Sequence, residues 1–330
     1  MGAIERATRP TMQQRLATGI NRAKNTAIER AIVQPSAWAL SPLANRWAEN
    51  VGKGQPLEYA PDVQDKLIKA ARHGCQVIFG SDHTSDEEAI QEAYPMKDMV
   101  DLMNEFLPKD QQIESLAMIT ADSLRRGGQR VGERIVFDAL KRKFLKRHYI
   151  QPVFRATTND TGIRRMDGNN TESLRTANSL IQTGHWGVFV YPEGSIRGGK
   201  LNSATGQRFG MQRFIQNSIT TYVTLMKATG REVVIVPMST YGAWDIYDHT
   251  NSKPSMPIVK AGLCGPSIPP LVHTYIGSPM RTDEEPLATL LARDQQMRKE
   301  DQGRLVEDFL GGVIASHLPI KQQGYYSQTA

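Results

Sequence analysis

Short, uninterrupted apolar runs, set between segments of helical period, constrain this chain more than any other feature. The runs are "CQVIFG" (75–80), "QPVFRA" (151–156), "WGVFVYP" (186–192), "EVVIVPMS" (232–239) and "HTYIGSPM" (273–280). A strand with one wet face alternates polar and apolar residues, whereas a run without alternation is covered on both faces. Between the runs lie helix-patterned stretches. "DVQDKLIKAARHG" (62–74) closes on Gly74, and a long stretch leads from "SDEEAIQEAY" (85–94) to about residue 148. "TESLRTANSLIQTG" (171–184) and "FGMQRFIQNSITTYVTLMKATG" (209–230) follow. Buried strands alternating with helices predict an α/β fold with a largely parallel mixed sheet covered by helices. Ahead of it, "TMQQRLATGINRAKNTAIERAIV" has helical spacing and ends at Gln34-Pro35, and Pro56 and Pro61 bracket a connector. The expected organisation is a small N-terminal helical unit (1–58), the α/β domain (59–320) and a polar, flexible tail (321–330).

The same residues bound where such a chain works. The longest apolar run, "VVIVPM", is strand-sized and far short of a membrane span. The first thirty residues are polar, which argues against a secretory leader, and Arg6 departs from the myristoylation pattern after Met1-Gly2. Two cysteines, Cys75 and Cys264, cannot build a disulfide framework, so a reducing, cytoplasmic setting is expected with both thiols as core filler. From Arg125 to His148 nine Lys or Arg face only Glu133 and Asp138, which exceeds the whole formal charge of +6. Such a patch attracts phosphate, on lipid, small molecule or nucleic acid.

In open α/β sheets ligands bind beyond the carboxyl ends of the strands. Distinctive polar residues gather there: His83 after "CQVIF", Arg155 in "PVFRA", Glu193 after "VFVYP", and Ser239 after "VVIVPM". His83 sits in "GSDHTSDEEA" among Asp82, Asp86, Glu87 and Glu88, with Glu92 just beyond. A metal site would draw on Asp82, His83, Asp86 and Glu88, yet the other six histidines occur singly and form no H-x-x-x-H pair. A capping box, Ser85 with Glu88, explains those two residues and leaves His83 over.

Taken in order, these blocks resemble the glycerolipid acyltransferase family, which includes glycerol-3-phosphate and 1-acylglycerol-3-phosphate acyltransferases. The likeness covers about residues 75–245. "DHTSDEE" stands for N-H-x-S-x-x-D, with His83, Ser85, and Glu88 in place of Asp. "PVFRA" supplies the strand-end Arg155. "YPEGSIRGG" stands for F-P-E-G-T-R-S, matching at Pro192, Glu193 and Gly194, with Ser195 for Thr and Arg197 displaced one place by Ile196. "VVIVPMS" supplies Pro237. The resemblance implies a glycerol-3-phosphate acyltransferase-like fold and transfer of a fatty acyl group from acyl-CoA or acyl carrier protein to glycerol 3-phosphate. Lysophosphatidate is the second acceptor it allows. A third reading is an inactive relative that only binds lipid or RNA. No cofactor and no metal are called for.

The residues carry the chemistry as follows. His83 takes the acceptor's proton, and a carboxylate, Glu88 or its rival Asp86, fixes the imidazole tautomer. Arg155, Arg197 and Lys200 are suited to the acceptor phosphate. Ser85, Glu193, Gly194 and Ser195 line the acceptor site, and Pro237 shapes its wall. "SIRGGK" lacks the spacing of a nucleotide-binding phosphate loop. Within 131–147, Val131, Ile135, Phe137, Leu140 and Phe144 fall near one helical stripe. The stripe reads either as core packing with a solvated basic face or as a helix lying on an anionic membrane, peripheral and on its inner face. Nucleic acid is not the expected partner, since no known nucleic-acid signature accompanies the charge.

Overall fold

The computed structural model describes residues 28–52, 55–82, 88–121, 135, 138–155, 175, 177–193, 210–242, 247–248, 253–254, 272–298 and 301–328. Its strands are β1 (Leu57–Tyr59), β2 (Gln76–Ser81), β3 (Ser115–Ala121), β4 (Ile150–Arg155), β5 (Trp186–Val190), β6 (Val233–Tyr241), β7 (Tyr247–Asp248), β8 (Lys253–Pro254), β9 (His273–Ile276) and β10 (Met280–Arg281). Its α-helices are α1 (Gln34–Gly52), α2 (Val63–Arg72), α3 (Glu88–Phe106), α4 (Thr220–Lys227), α5 (Leu287–Gln295), α6 (Arg304–Ser316) and α7 (Ile320–Gln323).

Among the described residues the main sheet has eight strands in the order β1-β9-β6-β2-β5-β3-β4, with β10 paired to β6; β7 and β8 form a separate pair. The ladders β6·β2, β2·β5, β5·β3 and β3·β4 are all parallel, so these five strands run one way. Strands β9 and β10 run against β6, and β1 runs with β9. The fold is therefore α/β with a mostly parallel mixed sheet, as the unalternating apolar runs predict.

Alternation along the strands separates two cores, one on each face. Val77, Phe79, Phe189, Val234, Val236 and Met238 join the apolar cluster built with α2 and α3. Ile78, Val188, Val190, Val233 and Ile235 join the cluster built with α4, α5 and α6. Each run looks continuous in sequence because both faces are covered. Helix α2 shows how the helices dock: Val63, Leu67, Ala70 and Ala71 are buried at helical spacing, and the chain leaves through Gly74 at φ +69°. That left-handed conformation costs little without a Cβ.

Several expectations differ from the structure. The stretch 85–148 is not continuously helical, because Ser115–Ala121 form β3, inserted between β5 and β4. Its residues Leu116, Ala117 and Met118 are all buried, so no alternation marks it as a strand. Among the described residues of 209–230 the helix is confined to Thr220–Lys227. "HTYIGSPM" divides into β9 and the start of β10. The boundary at residue 58 falls inside β1, which pairs with β9 in the main sheet. The tail from 321 is packed where described: Tyr326 is buried against Phe214, and its hydroxyl accepts the Phe214 N–H at 3.0 Å.

Leu140 and Phe144 belong to the core, with Phe144 only 2% exposed and edge-on to Tyr94 at 5.7 Å. The interfacial-helix reading of that stripe is corrected for these two residues. Lys141, Arg142, Lys143, Lys146 and Arg147 are exposed. Cys75 is buried, and burial pushes its thiol up to about 11. Cys264 lies outside the described residues.

Candidate functional site

The parallel ladders bring three of the singled-out strand ends side by side. Gly80 pairs with Val190 on one side and Pro237 on the other, so β2 and β5 finish at nearly the same height while β6 runs on beside them to Tyr241. Above that level stand Ser81 and Asp82 from β2, Tyr191 after β5, and Thr240 near the end of β6.

A buried carboxyl from α3 ties these ends together. Glu92 is 0% exposed. Its Oε1 accepts hydrogen bonds from Ser81 Oγ and, at 3.0 Å, from Thr240 Oγ1, while Oε2 accepts one from Tyr191 Oη at 2.7 Å. Desolvation pushes the Glu92 carboxyl up to about 7, and the nearby Asp82 charge adds to the rise against the three hydroxyl bonds. Asp82, also fully buried, accepts the Thr240 backbone N–H on Oδ1 at 2.8 Å. The ends of β2, β5 and β6 are thus fixed to one another by two carboxyl groups.

His83 follows Asp82 directly in the sequence. His83 itself lies outside the described residues, as do Ser85 and Asp86. Helix α3 is described from Glu88 onward, and the Glu88 side chain lies outside the description. Of the four residues weighed as metal ligands, Asp82 alone has a described side chain.

Glu193 is buried just past β5, and its Oε2 accepts the Gln212 backbone N–H at 2.7 Å. That bond holds the segment leading to α4 against the strand end. Gly194, Ser195, Arg197 and Lys200 lie outside the described residues. Ser239 donates its Oγ hydrogen to Ile314 O at 2.7 Å and so anchors α6. Pro237 sits where β6 changes partner, between β10 paired at Ile235 and β9 paired at Met238. Its carbonyl accepts the Gly277 N–H at 2.8 Å, so its nitrogen faces that same gap and the missing N–H breaks no ladder bond. A Cβ at Gly277 would meet Pro237 Cγ at 2.8 Å, which explains a glycine at the crossing.

Arg155 is the outlier. It ends β4, which is separated from β2 by β5 and β3. Counting through the registers puts Arg155 at the height of Asp82. At roughly 4.8 Å per strand the lateral separation is on the order of 14 Å. Among the described residues the fold therefore groups Asp82, Glu92 and Glu193, and sets Arg155 on the same rim but at the edge of the sheet.

Two residues outside the expected set hold this framework. Glu92 takes no role in the sequence reading because it lies just beyond the acidic cluster. It is in step with Met96, Met99 and Met103, all buried, and a carboxylate in phase with an apolar stripe is the signal that marks it. At the opposite rim, Arg231 donates to the carbonyls of Gly74 (2.7 Å), Gly184, Cys75 (3.3 Å) and Gln111 (3.2 Å).

No family model matches the chain, and no curated protein matches it. Among the described residues no helix is long and apolar enough to cross a membrane.

Proposed function

We propose that the chain is an O-acyltransferase resembling the glycerol-3-phosphate acyltransferases, and that the rim above β2, β5 and β6 is its active site. The observation that carries this reading is the tethering of three parallel strand ends by Glu92 and Asp82, immediately before His83. A reacting imidazole needs a fixed base of this kind, because misplacement of about an ångström is costly in rate.

In the proposed reaction His83 removes the proton from an acceptor hydroxyl as its oxygen attacks the thioester carbonyl of acyl-CoA or acyl carrier protein. The tetrahedral intermediate collapses with cleavage of the C–S bond. His83 then returns the proton to the departing thiolate, leaving an ester and a free thiol. Glu88 or Asp86 holds the imidazole tautomer. Arg155, with Arg197 and Lys200, receives the acceptor phosphate, so the acceptor lies across the ends of β5 and β3. Glycerol 3-phosphate is the acceptor favoured; lysophosphatidate is the alternative.

The test is incorporation of labelled glycerol 3-phosphate from a panel of acyl thioesters by the purified full chain. His83→Ala is expected to lower turnover by roughly 10²–10⁴ with an unchanged urea midpoint. Normal turnover in a folded His83→Ala protein would refute the mechanism. Turnover of lysophosphatidate alone would reassign the acceptor.

A further inference from the structure

The first half of helix α1 turns large apolar side chains outward. From Ala31 to Asn45 the chain carries no charged residue. Val33, Ala37 and Ala48 are buried, whereas Trp38 is 73% exposed, Leu43 50% and Ile32 49%. At 3.6 residues per turn Trp38, Ala39, Pro42 and Leu43 share one side of α1, opposite Ala37 and Ala48. A helix on a water-facing surface carries its charge on that side. Here the outward positions from Trp38 to Leu43 hold an indole and aliphatic groups, and Arg46 and Glu49 follow on the same side in the next turns.

Basic residues flank this face. Ser41 Oγ donates to Ala139 O at 3.2 Å, and Arg147 pairs with Glu49 at 2.5 Å. Both contacts span 98 positions, so the segment from Ala139 to Arg147 runs alongside α1 in the same direction. It carries the exposed Arg142, Lys143 and Lys146, and α1 itself adds the exposed Arg46.

We propose that the outward side of α1 and the adjoining basic segment dock the protein on an anionic phospholipid bilayer. The pairing of chemistries selects this occupant. A bilayer interface offers an apolar acyl boundary for Trp38 and Leu43 beside headgroup phosphates for the cations. A second copy of the chain would bring its own cations against these. A nucleic acid would answer the charge and leave the aliphatic side chains wet. Docking of this kind follows from the surface alone, without reference to acyl transfer.

Flotation of the full chain with phosphatidylglycerol-containing vesicles and with pure phosphatidylcholine vesicles tests it. Binding is expected only to the anionic vesicles and is lost in high salt. Arg142→Glu with Lys143→Glu and Lys146→Glu should weaken it by at least roughly 100-fold, at about fivefold per cation removed. Trp38→Ser with Leu43→Ser should weaken it as well, since both residues are exposed and the fold is spared. In the wild type, indole emission should shift to the blue on binding, and Trp38→Phe should remove that shift. Absence of anionic-vesicle binding, or binding kept by either multiple variant, overturns the proposal. So does a dimer that dissociates on Trp38→Ser with Leu43→Ser, which would make the face a contact between copies. None of these readouts depends on turnover, so their failure leaves the acyl-transfer reading to its own assay.

Discussion

Replacing Glu92 by glutamine isolates one carboxyl whose environment makes a quantitative demand. In the folded protein its pKa is pushed up to about 7 by burial, from an ordinary 4.5. Between those two values the folded state holds a proton that the unfolded chain has released. Stability therefore falls as pH rises through this window, by up to 1.36 kcal/mol per unit and about 3 kcal/mol in all. The hydroxyls of Ser81, Tyr191 and Thr240 accommodate either form, since each can donate or accept. The amide of Glu92→Gln does not titrate, so the variant's stability should lack this component.

The assay is urea unfolding of both proteins from pH 5 to pH 8. Glu307, also pushed up to about 7 by burial, tilts both curves the same way. His148 and His317, whose pKa values burial lowers, tilt both the opposite way, because the unfolded chain binds the extra protons. These contributions are common to the pair and cancel in the difference. That difference should move by about 2.5 kcal/mol in favour of the variant between pH 5 and pH 8, since the part of the change below pH 5 falls outside the scan. Parallel curves would mean that the three hydroxyls keep Glu92 ionised throughout, and the reasoning about desolvation would be refuted.

Arg231→Leu should cost about 2–4 kcal/mol by urea unfolding, because it strips a charged donor from four carbonyls at the amino rim. Arg231→Lys should recover less than half of that, since a point charge cannot span them; full recovery would show that charge alone suffices. Phe144→Ala should cost about 3–5 kcal/mol while the folded fraction still floats with anionic vesicles. A stable Phe144→Ala protein that no longer floats would return Phe144 to the membrane face.

How much was legible in the sequence depended on whether a residue's surroundings left a trace in its neighbours. Strands β2, β5 and β6 announced themselves because cover on both faces forbids polar positions. The same double cover hid β3, whose "SLAMITA" is short, partly alanine and methionine, and flanked by helix-forming residues. Adjacency of β2, β5 and β6 was not legible, since register is set by pairings far apart in the chain. The apolar runs mark where each strand stops, but not that these stops lie side by side. Their tether was missed, because Glu92 owes its role to Tyr191 and Thr240, residues 99 and 148 positions away. Phe144 shows the converse error: a stripe flanked by cations reads the same whether it meets lipid or its own core, and only Tyr94 and His148 beside it decide.

The position of β6 bears on how the chain comes to be assembled. Ile78 and Ile235 are partners at the centre of the sheet, and Ser81 lies opposite Met238. The neighbour that completes β2 is therefore made long after it, and at roughly 5–20 residues per second the delay during translation is several seconds or more. Throughout that interval the edge of β2 that β6 will pair stays open. The closing loop is long, and contacts of such separation slow folding. A nascent chain halted before residue 233 should thus be a better client for a chaperone that shields strand edges than one halted after residue 241.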